Sequence, residues 1–133
     1  MVKYITGDEL AALIKSDKVP SKDYLVVDVR DDDYAGGNIL NGQNWPSQDF
    51  GQKVGELVEK TKDAKTVVFH CALSQVRGPK AARIYEEARN NLQGRGAHEV
   101  FVLRGGFSQF QAKYKDDPAL VENWDKNIWA EWE

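Results

Sequence analysis

The sequence predicts an α/β fold: a central, mostly parallel sheet flanked by helices. Three observations predict it. Short β-branched apolar runs recur at residues 24–29, 66–70 and 99–103; stretches with apolar residues at helical spacing separate them; and the runs are apolar at nearly every position, as strands buried on both faces are. At 133 residues the chain is expected to form one domain over residues 1–133, large enough to bury a core without disulfides or metals.

Thr6-Gly7-Asp8-Glu9 opens the first helix as a capping box, with the Thr6 hydroxyl on the Glu9 amide and the Glu9 carboxylate on the Thr6 amide. Leu10, Leu13 and Ile14 form its buried face. Residues 24–29 are a central strand. Residues 31–42, polar and glycine-bearing, form an exposed loop leading to a short strand near Asn44-Trp45. Val54, Leu57 and Val58 place a second helix over residues 52–61. The strand at 66–70 runs directly into Cys71. Pro79 takes a first helical position, and Ala81, Tyr85, Ala88 and Leu92 share one face of the helix that follows. The strand at 99–103 ends in Arg104-Gly105-Gly106, before a helix from Phe107 to Tyr114. Trp124, Trp129 and Trp132 mark a packed tail or short helix.

Composition narrows the function. No apolar run approaches the ~20 residues that cross a bilayer, and the first twenty residues interleave Lys3, Asp8, Glu9, Lys15, Asp17 and Lys18 with apolar positions, unlike a signal peptide. One cysteine cannot form an internal disulfide, so a cytoplasmic or nuclear protein is expected. With a net charge of −3 and scattered Lys and Arg, neither nucleic acid nor a membrane is an expected partner, and a monomer is expected. Two histidines and one cysteine, at no chelating spacing, make a metal site unexpected.

The chemistry concentrates between strand and helix. Cys71, Ala72, Leu73, Ser74, Gln75, Val76 and Arg77 connect them, a geometry in which successive backbone amides turn inward around an oxyanion and the helix N-terminus adds its positive end. Arg77 supplies a planar fork for two oxygens of a phosphate. Amides, helix terminus and guanidinium all favour a thiolate at Cys71, exposed enough for oxidants to attack it. Facing a bound phosphate ester, that thiolate is placed for in-line attack at phosphorus, giving a phosphocysteine that water hydrolyses. Ser74 is a candidate donor to the thiolate or helper of its departure. A lone cysteine after an apolar strand is most often a small buried hydrophobe; the conjunction of Cys71 with Arg77, Gly78 and Pro79 at a strand-to-helix turn argues for chemistry instead. His70 is read as a core histidine rather than a general base. Asp28 and Arg30 are read as a structural ion pair, and Asp31, Asp32, Asp33 and Asp49 as solvated loop carboxylates, none assigned as the general acid.

The string His70-Cys71-x-x-Ser74-x-x-Arg77-Gly78-Pro79 resembles the signature of the cell-division-cycle dual-specificity phosphatases, whose catalytic domain has the rhodanese fold. Leu103-Arg104-Gly105-Gly106-Phe107 and Val27-Asp28-Val29-Arg30 resemble two further segments of rhodanese-homology domains. The loop is similar to that of small single-domain members, including eukaryotic arsenate reductases. The resemblance implies a rhodanese-like domain with cysteine-dependent phosphatase chemistry of the protein tyrosine or dual-specificity type, acting on a phosphorylated protein or small phosphate ester without a cofactor. It implies arsenate reduction as the alternative, with glutathione or glutaredoxin as the external thiol. The larger cell-cycle phosphatases carry acidic loop residues where Ala72 and Val76 stand here, so the loop offers no carboxylic acid and a cyclin-dependent kinase is not the expected substrate. Sulfurtransferase chemistry, on a loop typically one residue shorter, and a non-turning phospho-binding module are the remaining alternatives.

Overall fold

The computed structural model describes residues 2–94, 96 and 98–130. Among the described residues seven strands and five α-helices follow in the order β1 (Val2–Ile5), α1 (Gly7–Lys15), β2 (Tyr24–Asp28), β3 (Asn38–Ile39), β4 (Gln43–Asn44), α2 (Phe50–Lys60), β5 (Thr66–His70), α3 (Arg77–Gln93), β6 (Glu99–Leu103), α4 (Gly106–Tyr114), β7 (Val121–Glu122) and α5 (Lys126–Ala130). Five strands form one sheet in the order β1-β6-β5-β2-β4, every pair parallel. β3 and β7 form a separate antiparallel pair.

Side-chain alternation along the strands divides the core in two. Val67, Phe69 and Cys71 of β5 and the residue after it, with Leu25, Val27 and Val29, pack with Leu57, Ala82 and Tyr85 of α2 and α3. Tyr24, Val26 and Val68 pack on the opposite face with Leu10 of α1 and Phe107 and Phe110 of α4. The sheet is thus covered on both sides, which is why β2 reads apolar without a polar face. The α1 capping box forms as the spacing predicts, with Glu9 N–H to Thr6 Oγ1 at 3.1 Å and Thr6 N–H to Glu9 Oε1 at 2.9 Å.

Four expectations change. Residues 31–42 are not uniformly exposed: Asn38 and Ile39 are buried as β3, held by pairing with β7 and by the Asn38 side-chain amide on Glu122 at 2.9 Å. Pro79 is the third residue of α3 rather than its first, still in the turn whose N–H groups have no helical partner. Leu92 is 64% exposed, and Arg89 turns inward in its stead because Tyr85 Oη and the carbonyls of Lys62 and Ala64 satisfy its guanidinium. β1, a further strand, lies along the sheet edge with Lys3 and Tyr4 outward. Of the tryptophan tail, Trp124 and Trp129 are half-buried around α5, and Trp132 lies outside the described residues.

Candidate active site

The site sits at the carboxyl ends of the parallel strands, where β2 and β5 lie side by side and the chain's path through the sheet reverses, the place where open α/β sheets bind ligands. β5 delivers Cys71, and the N-terminus of α3 closes the loop six residues later. Its sulfur accepts two backbone N–H groups, from Ser74 at 3.2 Å and from Gly78 at 3.3 Å. Ser74 reaches this position through a left-handed backbone, φ 56°, which a non-glycine residue adopts at a cost that its buried contacts must offset. Its side-chain oxygen accepts the Cys71 N–H at 3.4 Å, so the Ser74 amide, not the expected hydroxyl, is the donor on the sulfur.

Cys71 is only 3% exposed, where an exposed thiolate was expected. The alternation of β5 turns it toward the α2/α3 side, and Gly78 covers it there, its N–H on the sulfur at 3.3 Å. From the other side α4 fixes the loop's first turn: Phe107 N–H donates to the Cys71 carbonyl at 3.0 Å and Ser108 N–H to that of Ala72 at 2.9 Å. Gly106, φ 62°, makes this approach possible, since a Cβ would fall 2.3 Å from the Ala72 oxygen. Leu73 and Val76 stand exposed on the rim, with Gln75 between them and Ala72 half-buried below. Beside the rim a cavity of about 360 Å³ runs between Arg77, Lys80 and Ile84 of α3 and Ser47, Gln48 and Phe50.

Arg77 stands at the start of α3, but its fork does not point at the sulfur. It grips Asp33 with Nη1 to Oδ1 at 2.9 Å and Nη2 to Oδ2 at 2.7 Å, and Nη1 also reaches Asp31 Oδ2 at 3.3 Å. The two acids are therefore not solvated loop carboxylates. The hydrogen bonds from Arg77 hold the Asp33 carboxyl below its ordinary value despite partial burial. Burial raises Asp31, but the Ser47 hydroxyl, the Gln48 amide and Arg77 together bring it below its ordinary value. The same contacts push the Arg77 guanidinium further up.

Behind the loop, Asp28 and Arg30 form a buried ion pair, with Nη2 to Oδ2 at 2.7 Å and Nε to Oδ1 at 3.0 Å. Arg30 then reaches forward: Nη1 donates to the Asp33 carbonyl at 3.2 Å and Nη2 to that of Gly37 at 2.8 Å. Its guanidinium also lies 4.4 Å from the centre of the Phe107 ring. The pair thus braces the turn that carries Asp33, the structural role its position at the end of β2 suggests. His70 is fully buried beside Asp28, its Nε2 at 3.6 Å from Oδ2 and without a hydrogen-bond partner among the described residues, and its Nδ1 at 3.3 Å from the Cys71 carbonyl. Burial pulls it below its ordinary value of 6.5, against the pull of Asp28, so the ring is neutral at pH 7 and donates Nδ1–H to that carbonyl. Among the described residues no group of three or more His, Cys, Asp or Glu is placed to hold a metal, and no helix is long and apolar enough to cross a membrane.

The long-range pairing of Arg77 with Asp33 is the feature the sequence did not reveal. The two lie 44 positions apart, and a run of three aspartates after a strand reads as solvated surface in isolation.

A model of the rhodanese-like domain matches residues 6–113. The chain is 32% identical over 140 residues to the CDC25-like phosphatase YCH1 of Saccharomyces cerevisiae, an alignment covering 96% of this chain and 94% of that protein. It is 31% identical over 112 residues to arsenate reductase 2.2 of Oryza sativa subsp. japonica, covering 83% and 82%. Among solved structures it resembles Ygr203w, a yeast protein tyrosine phosphatase of the rhodanese family, with a TM-score of 0.80 at 33% identity over 96% of each chain.

Proposed function

The chain belongs to the rhodanese-like domain family, and from that premise we propose that it is a cysteine-dependent phosphatase that hydrolyses phosphate monoesters through a phosphocysteine. The observation that carries this reading is the Cys71 sulfur receiving the Ser74 and Gly78 amides at the mouth of α3. Two N–H donors and a helix N-terminus stabilise negative charge on the sulfur and on the equatorial oxygens of a phosphate held above it. The Cys71 thiolate attacks phosphorus in line, the bond to the ester oxygen breaks, and the departing oxygen takes its proton from solvent. Water then attacks the phosphocysteine, the S–P bond breaks, and inorganic phosphate leaves with the thiolate restored. Arg77 supplies the fork for the oxygens, and residues 72–76 supply the cradle. Asp31 and Asp33 are unsuited to be the general acid, since Ser47, Gln48 and Arg77 together hold Asp31 ionised and Arg77 holds Asp33 so. Esters with good leaving groups are accordingly the favoured substrates, whether on a protein or a small molecule, and no cofactor is required.

A second reading, arsenate reduction, is supported by the 31% identity to arsenate reductase 2.2 of Oryza sativa subsp. japonica, and the single cysteine sets its requirement. Reducing As(V) to As(III) takes two electrons, which a pair of thiols supplies by closing a disulfide, and Cys71 is the one cysteine of the chain. The second thiol would come from glutathione or a glutaredoxin.

Hydrolysis of an aryl phosphate by wild type and Cys71→Ser across neutral pH tests the first reading. Turnover in wild type that vanishes in the variant and is competitively inhibited by arsenate is expected. Equal turnover in both proteins would remove Cys71 from the mechanism, and none in either would leave arsenate reduction as the reading to pursue.

A further inference from the structure

We propose that Asp33 is a built-in rival for the oxyanion site, its carboxylate holding the guanidinium fork that a bound phosphate needs, so that an incoming anion must win Arg77 away from it. The proposal rests on the reading of residues 71–77 as an oxyanion site.

Three observations carry it. Both terminal nitrogens of Arg77 are committed to Asp33, at 2.9 and 2.7 Å, in the bidentate geometry that a phosphate would take. Asp31 adds a second carboxylate at 3.3 Å, so that two negative charges already share the one guanidinium. Lastly, the acids are fixed where the arginine is not. Arg30 donates to the Asp33 carbonyl and the Asp31 N–H to Asp33 Oδ1 at 3.0 Å, while Asp31 accepts the Ser47 hydroxyl at 2.6 Å and the Gln48 amide at 3.1 Å. Among the described residues the Arg77 side chain, on the first turn of α3, makes no hydrogen bond besides those to the two acids, so nothing else holds it in place. Asp33 is the better target for substitution, since Asp31 also ties down the turn at Ser47.

A site whose competent form is only partly populated binds every ligand more weakly by that same fraction. Loss of the rival should therefore tighten phosphate and arsenate equally, whichever of them is turned over. This distinguishes competition from bracing: if Asp33 instead aimed Arg77 toward the anion through the nitrogen edge it leaves open, its loss would weaken both.

The test is titration of wild type, Asp33→Asn and Asp33→Ser with inorganic phosphate and separately with arsenate, reading the backbone amide resonances of Ser74 and Gly78. Both variants should bind both anions tighter by roughly tenfold, with one common factor for the two anions. Unchanged or weaker binding in the variants overturns the proposal and makes Asp33 a positioning residue for Arg77. Absence of any shift in all three proteins overturns it together with the oxyanion site. Tighter binding in a protein that hydrolyses no aryl phosphate upholds it and overturns the phosphatase reading alone.

Discussion

At the scale of single residues, the site depends on which groups share a hydrogen-bond donor. Arg77 has one planar fork and two claimants, the Asp33 carboxylate and the anion, and only a guanidinium can serve either in two-point geometry. Arg77→Lys keeps the charge but replaces the fork by a point donor. Its kcat/KM on an aryl phosphate should fall by about 100-fold or more, the scale on which a lost transition-state donor acts, and near-normal turnover would take Arg77 out of the mechanism. His70 shows how one position serves two ends. Buried and neutral, it supports the Cys71 carbonyl from behind the loop without facing the reacting atoms. The motif residues were legible because a cysteine, a glycine and an arginine at fixed spacing have few structural uses together. The Asp33 clasp was not, since nothing local to three aspartates says which distant cation will meet them.

At the scale of elements, the loop is shaped by backbone groups of two helices. α3 lends an amide from Gly78, and α4 lends Phe107 and Ser108 as donors to carbonyls 71 and 72. Gly106 is where this becomes testable. Its φ of 62° and the 2.3 Å between an added Cβ and the Ala72 oxygen leave no room for a side chain. Gly106→Ala should destabilise the fold by about 1–3 kcal/mol, the range for strain at a left-handed position with a backbone clash. Its kcat should fall further than that of a variant equally destabilised elsewhere, and chemical denaturation paired with steady-state kinetics reads both. Elements with long periodic runs, α1 to α4 with β2, β5 and β6, could be read because burial on both sheet faces writes continuous apolar strands. β3 and β7, two residues each, have no period to read, and β1 hides because an edge strand keeps Lys3 and Tyr4 in water.

At the scale of the whole molecule, pH couples the site to stability. Burial holds His70 below its ordinary value of 6.5, so the unfolded chain binds a proton that the folded chain refuses. Stability is therefore full above about pH 7 and falls as pH drops from 6.5 toward the lowered folded value. His98, half-buried and lowered chiefly by desolvation, adds to the same slope. Asp31 and Asp33, held below 3.8 by the contacts around Arg77, act lower down: their contribution is present above 3.8 and is lost as pH falls through their depressed values. Urea unfolding at pH 7.5, 6.5 and 5.5 should show stability falling as pH is lowered in wild type and a shallower fall in His70→Gln. An identical slope in the two proteins would place His70 outside this balance.

Cys71 combines two properties that are seldom met together: it is the one sulfur nucleophile of the chain, and it lies 3% exposed beneath its own loop. A thiol reagent added to the folded protein can therefore react at one address only, and only while that address is uncovered. Its rate becomes the product of an opening equilibrium and the reactivity of a free thiolate, as in amide exchange. The mass of the intact chain, followed over time, is then a clock for the opening of the loop.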